Sequence, residues 1–393
     1  MTRPLSGVRV LDFGRYIAGP YCAALLSDLG ADVIRVERPE GSEDRFIAPV
    51  TPAGDGAMFL QCNRGKRGLT LALGKPAARE ITRRLVRTAD VVVVNLPPQT
   101  LAPVGLDEAS LRAERPDVIF TLVTAYGSSG PDAERVGFDG VGQAMSGALY
   151  LSGTPGTPTK CVANYVDFTT AMSAALGTVA ALYDRRATGK GRLVESSLLG
   201  SALTVMGPSL VEQALTGIDR IGTGNRSQLS GPSDTFATRD GFVLVQTVGQ
   251  PIFERWARLM GEPAWTDDPR YENDVARGRH GAALSDRMQA WCSERTTAEA
   301  LRALTDAKIP AGPVLAPRAT LAHPQVEAMG FFESVPYPGT PAAKVPRAPV
   351  SLSDEGVRIA GRAPTLGEHT DAILAELGFS PDDIVEFRRN LVV

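Results

Sequence analysis

An alternation of strand and helix patterns through the first 124 residues constrains this chain more than any other feature. Val8-Arg-Val-Leu11 reads as a strand, residues 21–29 as a short helix closed by Gly30, and Val33-Ile-Arg-Val36 as a second strand. That spacing is a βαβ unit, which makes the strands parallel and the crossover right-handed. The alternation continues with strand 69–73, helix 77–87, strand 91–94, helix 107–115 and strand 118–124. Val91-Val-Val-Val94 is apolar at consecutive positions, as suits a strand covered by helices on both faces. The expected class is α/β with an open, mostly parallel sheet. The pattern does not fix the strand order.

A second stretch carries a helix with an acid at its start. Phe168, Met172, Ala175, Val179 and Leu182 recur at spacings of three and four, which puts them on one face. Asp167 stands just before that pattern, where an N-cap belongs, and Gly189 stands where a left-handed C-cap belongs. Its many alanines and Gly177 make the helix thin, suited to close packing. A carboxylate at this end meets unpaired N–H groups and the positive end of the helix dipole, so it is expected to stay ionised. Capping is an ordinary role for Asp, and the pattern alone does not separate it from chemistry.

The remaining sequence divides by composition. Residues 127–156 are rich in Gly, Ser and Pro and read as loops with a short helix around 141–149; residues 193–198 read as one more strand. Weak patterning at 209–232 marks a connector. A turn and strand at 240–246, with helices at 251–260, 283–293 and 298–308, suggest a smaller α/β domain. Many prolines mark a second connector, and two helical patterns follow at 370–377 and 381–390. The expected organisation is a large domain over 1–208, a linker over 209–232, a small domain over 233–312, a linker over 313–349, and a C-terminal segment over 350–393. No repeat or low-complexity segment interrupts it.

Composition narrows the chemistry. The 393 residues are 43% hydrophobic and 22% charged, which fits globular domains with a large core. A net charge of −3 gives no reason to expect nucleic acid or an anionic membrane as partner. The four cysteines form no CxxC pair, so neither a zinc site nor a redox motif is expected, and reduced cytoplasmic thiols are the simplest account. The first residues lack the apolar run of a signal peptide, and no apolar stretch is read as approaching the roughly 18 residues of a membrane span. The expected location is the cytoplasm. Only His280, His323 and His369 are present, none at metal-ligand spacing, so no metal is expected and surface or capping roles are favoured. The turn after the first strand lacks GxGxxG and Pro20 occupies the helix start, so a dinucleotide is not expected despite Glu37. No GxxxxGK[ST] is present. The scarcity of histidine shifts weight toward chemistry done by a carboxylate.

Several segments, taken in order, resemble the class III CoA-transferases, the formyl-CoA transferase and carnitine CoA-transferase group related to α-methylacyl-CoA racemase. They are Leu5-Ser-Gly-Val-Arg-Val-Leu-Asp-Phe13 with Gly19-Pro20, Gly30-Ala-Asp-Val-Ile-Arg-Val-Glu-Arg-Pro39, and Asn63-Arg-Gly-Lys-Arg-Gly-Leu-Thr-Leu71. Gly137-Phe-Asp139 with Gln143-Ala-Met-Ser-Gly147 and Arg186-Ala-Thr-Gly-Lys-Gly191 continue the set. Trp265-Thr-Asp-Asp-Pro-Arg-Tyr271, Pro310-Ala-Gly-Pro-Val314 and Thr365-Leu-Gly-Glu-His-Thr370 complete it. The resemblance implies a Rossmann-like large domain completed by the C-terminal segment, a small domain between, and two chains interlocked as a ring homodimer.

It also implies an activity: transfer of CoA from an acyl-CoA donor to a carboxylic acid acceptor, with no tightly bound cofactor and CoA as a substrate moiety. Asp167 matches the family's nucleophile, which attacks the thioester, forms a mixed anhydride and releases CoA thiolate. CoA then attacks the anhydride, and the acceptor carboxylate enters by the reverse sequence. The CoA contacts implied are Ile17, Ala18, Arg38, Leu71, Asn95, Leu96, Gly137, Phe138 and Asp139, with Arg38 on a phosphate. For Arg38, a surface ion pair with Glu37 or Glu40 is the plain alternative. Pro97 and Pro103 stand where relatives carry arginines, and the stretch Gly222-Thr-Gly-Asn-Arg-Ser-Gln-Leu-Ser-Gly-Pro232 lacks a glycine-rich lid. That argues against formyl-CoA and oxalate as the specific pair. Two alternatives stay open: a 2-methylacyl-CoA racemase or epimerase, disfavoured because Phe138 replaces the proton-accepting His, and a non-catalytic acyl-CoA-binding protein.

Overall fold

In a computed structural model describing residues 3–353 and 356–393, the chain forms two compact units. The first comprises Met1–Ser146, Val162–Thr216 and Met329–Val393, and the second Gly147–Cys161 and Gly217–Ala328.

The first unit is built on six strands: β1 (Arg9–Asp12), β2 (Asp32–Glu37), β3 (Arg67–Thr70), β4 (Val91–Val94), β5 (Ile119–Thr124) and β6 (Leu193–Ser197). Their order is β3-β2-β1-β4-β5-β6, and every pairing is parallel. Successive residues of each strand feed opposite layers. Val91 and Val93 enter the layer of helices Ala18–Asp28, Tyr165–Thr188 and Leu198–Val205. Val92 and Val94 enter the layer of helices Pro76–Thr88 and Glu108–Glu114. Apolar residues on both faces are thus explained by two-sided burial.

Strand ends fall within a residue or two of expectation, except that the third strand ends at Thr70 rather than 73. The single short helix expected around 141–149 is two, Asp139–Met145 and Ala148–Leu151, parted by Gly147 at φ 86°. The C-terminal segment docks on the same sheet: Ile373, Leu374 and Ile384 join its core, and Thr370 Oγ1 accepts from Thr70 N at 3.1 Å. His369 joins it by accepting from Gly68 N through Nδ1 at 3.1 Å.

Stretches read as connectors hold regular structure. Gly207–Thr216 is a helix that runs into the first connector, and Pro317–Leu321 and Pro324–Ala328 are short helices in the second. Phe332–Tyr337 and Thr340–Pro346 pair antiparallel, burying Val335, Tyr337 and Val345 against Phe59 and Leu60. Proline-rich composition hid that hairpin, because a two-stranded ribbon has free edges where proline costs no ladder bond. The second unit has a three-stranded antiparallel sheet and a core around Phe253, Trp256, Tyr271, Trp291 and Leu304.

The expectation that no stretch suits a membrane span needs correction. Helix Tyr165–Thr188, 24 residues long, passes on length and hydropathy. Half of its apolar window is buried, and Ala171, Ala174, Ala175, Ala181 and Leu182 sit in the sheet's core, which accounts for that composition without a bilayer.

Candidate active site

The strands' carboxyl ends open onto one cleft. β1 and β4 are neighbours whose onward connections leave in opposite directions, and ligands in such sheets bind at that switch point. The cleft holds ≈ 860 Å³ of open space. Its walls come from the loops after β1 (Arg15–Ala18), β4 (Asn95–Pro98) and β5 (Ala133–Phe138), with Asp167 and Leu198 from the helical layer.

The loop after β1 is held by buried charges. Asp12 Oδ1 accepts from Gly14 N at 2.8 Å, while Lys66 Nζ donates to Asp12 Oδ2 at 2.7 Å, Pro20 O at 2.7 Å and Asn63 Oδ1 at 2.9 Å. Arg35 donates to Gly14 O and reaches Asp44 at 2.9 Å. Asp12, Arg35, Asp44 and Lys66 are all buried, and the neighbouring cations hold the Asp12 carboxyl below its usual range against the opposing effect of desolvation. Asn95 clasps the next peptide: Oδ1 accepts from Arg15 N at 2.6 Å and Nδ2 donates to Arg15 O at 2.9 Å. A Cβ on Gly14 would lie 2.7 Å from Pro20 Cδ, so the tight turn requires glycine there. Tyr16 is held at φ 61°, in the left-handed region, with its ring edge-on to Phe138 at 5.1 Å.

The acid at the cleft does not cap its helix. The helix begins at Tyr165, Asn164 is the N-cap without a side-chain bond, and Asp167 lies within the first turn. The cap comes from another helix: Asp139 Oδ2 accepts from Val166 N at 2.8 Å and from Asp167 N at 3.1 Å. Gln143 Nε2 donates to Asp139 Oδ1 at 2.5 Å and fixes that carboxylate. Asp167 is 8% exposed and lines the cleft, and among the described residues no donor reaches its carboxyl. Burial, and then the charge of Asp139, push it up to about 7, so the expectation of a firmly ionised group is also corrected.

Of the residues expected around CoA, the cleft brings together Ile17, Ala18, Asn95, Leu96, Gly137 and Phe138 with Asp167. Asp139 is buried beneath it rather than lining it. Arg38 and Leu71 line a second groove of ≈ 640 Å³ with Gly74 and Lys75, and Arg15 lines both spaces. Arg38 is half-exposed and paired with Glu43 at 2.6 Å and Glu40 at 3.5 Å, not with Glu37. Glu37 is buried and bound to Arg45, Nε to Oε2 at 3.1 Å, so it offers nothing to a ribose. Sequence reasoning missed Arg15, Tyr16, Arg135 and the Asp12–Lys66 pair. The pair's only signal was polar Asn63, Arg64 and Lys66 in a segment otherwise heading into a strand.

The comparisons with known proteins agree with this architecture. The profile described as CoA-transferase family III matches residues 5–370. A succinate–glutarate CoA-transferase from Agrobacterium fabrum is 33% identical, covering 95% of this chain and 96% of its own length. A succinyl-CoA–D-citramalate CoA-transferase from Chloroflexus aurantiacus is 32% identical, covering 100% and 98%. A crystal structure of a CAIB/BAIF family protein from Brucella suis superposes with a TM-score of 0.84 at 33% identity, covering 96% of this chain and 100% of that one. With an all-parallel six-stranded sheet, a cleft at its switch point and family-wide similarity along nearly its whole length, this chain belongs to CoA-transferase family III.

Proposed function

We propose that the protein transfers CoA from an acyl-CoA donor to a carboxylic acid through an acyl group carried on Asp167. The observation that carries this is the Asp167 carboxyl itself: it lines the cleft, is nearly buried, and has no hydrogen-bond donor among the described residues. A poorly solvated carboxylate is a strong nucleophile, whereas one wrapped in N–H donors is not. A carboxylate oxygen attacks the thioester carbonyl carbon, the C–S bond breaks, and CoA leaves as thiolate, giving a mixed anhydride. The thiolate then attacks the aspartyl carbonyl, releasing the donor acid and leaving CoA on Asp167 as a thioester. The acceptor carboxylate runs the same two steps in reverse and regenerates the aspartate. Each bond broken is matched by one formed, and no oxidant or metal is needed.

CoA is a substrate moiety here, and its phosphates would meet Arg38 and Lys75 in the second groove by displacing their present partners, Glu40 and Glu43 on Arg38 and Asn390 O on Lys75. The relatives named above act on succinyl, glutaryl and citramalyl groups, all from dicarboxylic acids. Arg15 and Arg135 line the cleft, Arg15 with Nη1 on backbone carbonyls and Arg135 in an exposed pair with Asp132 at 2.9 Å that a substrate carboxylate would replace, so a short dicarboxylic acid is the proposed acceptor and its CoA thioester the donor. Phe138 supplies only apolar bulk, with no proton acceptor for racemisation.

A panel test decides this reading. Succinyl-, acetyl- and 2-methylacyl-CoA are offered with mono- and dicarboxylic acids in deuterated water, and products are read by mass spectrometry. The expected result is CoA transfer among C4 and C5 diacids with no deuterium at the α-carbon. Rapid α-deuteration without transfer to any acid would replace the reading with a racemase.

A further inference from the structure

We propose that Asp139 is a positioning residue for Asp167: it occupies the first-turn N–H groups of the Asp167 helix and leaves the Asp167 carboxyl facing the cleft without donors. This rests on the reading of Asp167 as the acyl carrier. The start of a helix offers free N–H groups and a positive field, and a carboxylate within reach takes both. Left alone, Asp167 would be that carboxylate, since it sits in the first turn itself. Asp139, from helix Asp139–Met145, reaches across and accepts from Val166 N and Asp167 N instead. Val166 is fully buried, so its N–H has no water to turn to.

The Asp139 carboxylate is itself fixed. Its other oxygen accepts from Gln143, and the side chain is almost fully buried. Gly142, on the same helix, permits the approach: a Cβ there would lie 2.8 Å from Val166 Cγ1 and 3.4 Å from Leu198 O. The result is two carboxylates at one helix end, one satisfied and inside, the other unsatisfied and facing the substrate.

Other ionisable groups near this end of the helix do not substitute for Asp139. Tyr21 packs edge-on to Phe168; burial pushes its hydroxyl up and the buried Cys62 thiol up to about 12, so both stay neutral. Arg15, Tyr16, Glu134 and Arg135 line the cleft, and among the described residues none donates to the Asp167 carboxyl. Among the described residues, Asp139 is the charge that raises it, after burial. A weakly hydrogen-bonded carboxylate with a negative neighbour is more basic, and its anhydride gives up the acyl group to thiolate less readily than a strongly bound one would.

The test compares wild type with Asp139→Ala, Asp139→Asn and Asp139→Glu in protein carrying ¹³C-labelled aspartate, with Asp167 assigned through Asp167→Asn. Ala frees the two N–H groups and removes the charge; Asn retains an oxygen that accepts N–H bonds and removes the charge; Glu retains both the acceptor and the charge. The Asp167 titration midpoint is expected to fall by about one unit in Asp139→Asn, to fall further in Asp139→Ala, where the freed N–H groups turn to Asp167, and to stay near wild type in Asp139→Glu. The pH profile of kcat/KM should move with it. An Asp139→Ala midpoint no lower than that of Asp139→Asn, with the fold intact by circular dichroism, overturns the proposal, because Asp139 would then act by its charge alone and not by keeping the N–H groups from Asp167. The titration needs no turnover. A midpoint lower in Asp139→Ala than in Asp139→Asn, in a protein with no transferase activity, would thus uphold the positioning role and sink only the acyl-carrier reading.

Discussion

At the residue scale the proposed reaction turns on one carboxyl, Asp167, which burial and then the charge of Asp139 push up to about 7. Two consequences follow, and their signs are opposite. Nucleophilic attack needs the ionised form, so kcat/KM should climb with pH through about 7, reporting the free enzyme. Stability runs the other way, because a raised pKa means the folded state holds the proton more tightly than the unfolded chain. Stability is therefore greatest below pH 4 on this group's account and declines as pH rises toward 7. Asp167→Asn, a neutral isostere, should abolish transfer yet raise Tm at pH 8 by an amount corresponding to a few kcal/mol. That gain should shrink as the pH is lowered to 5. Thermal unfolding of both proteins at the two pH values checks it; a destabilised Asn variant would mean that Asp167 is a structural cap after all.

At the element scale, the sequence showed the parts more clearly than their joining. The βαβ alternation was legible because Val91–Val94 and its neighbours carry the apolar pattern of two-sided burial, whatever they touch. The start of the Asp167 helix was misplaced by three residues, because Tyr165 and Val166 look no more helical than Asn164 and the true cap lies 27 residues earlier in the chain. A cap supplied from another helix leaves no local signature. The same holds for Lys66, whose partner Asp12 lies 54 residues away. Lys66→Met should cost about 3–5 kcal/mol by leaving a buried carboxylate short of its main partner. It should also raise KM for acyl-CoA, since the loop carrying Arg15 to Ala18 hangs from Asp12 through Gly14. Denaturant unfolding with steady-state kinetics measures both. A change within about 0.5 kcal/mol, the size expected of an ordinary surface substitution, would contradict the clamp.

At the scale of the whole molecule, we propose that the chain assembles as an obligate homodimer. The motive in the structure is apolar surface on helix Tyr165–Thr188: Leu176 and Tyr183, seven residues apart and so on one face, are 73% and 78% exposed. Residues of this kind are seldom left to solvent together unless another surface covers them. Sedimentation at micromolar concentration should give a dimer, and a folded, active monomer would refute it. The central claim, that Asp167 carries the acyl group and CoA in turn, is tested most directly by trapping. Wild type is mixed with succinyl-CoA without acceptor, quenched with hydroxylamine, digested and read by mass spectrometry. A hydroxamate is expected on Asp167 and absent from Asp167→Asn; a hydroxamate on another residue, or none at all in a preparation that transfers CoA once acceptor is added, would contradict the acyl-carrier role.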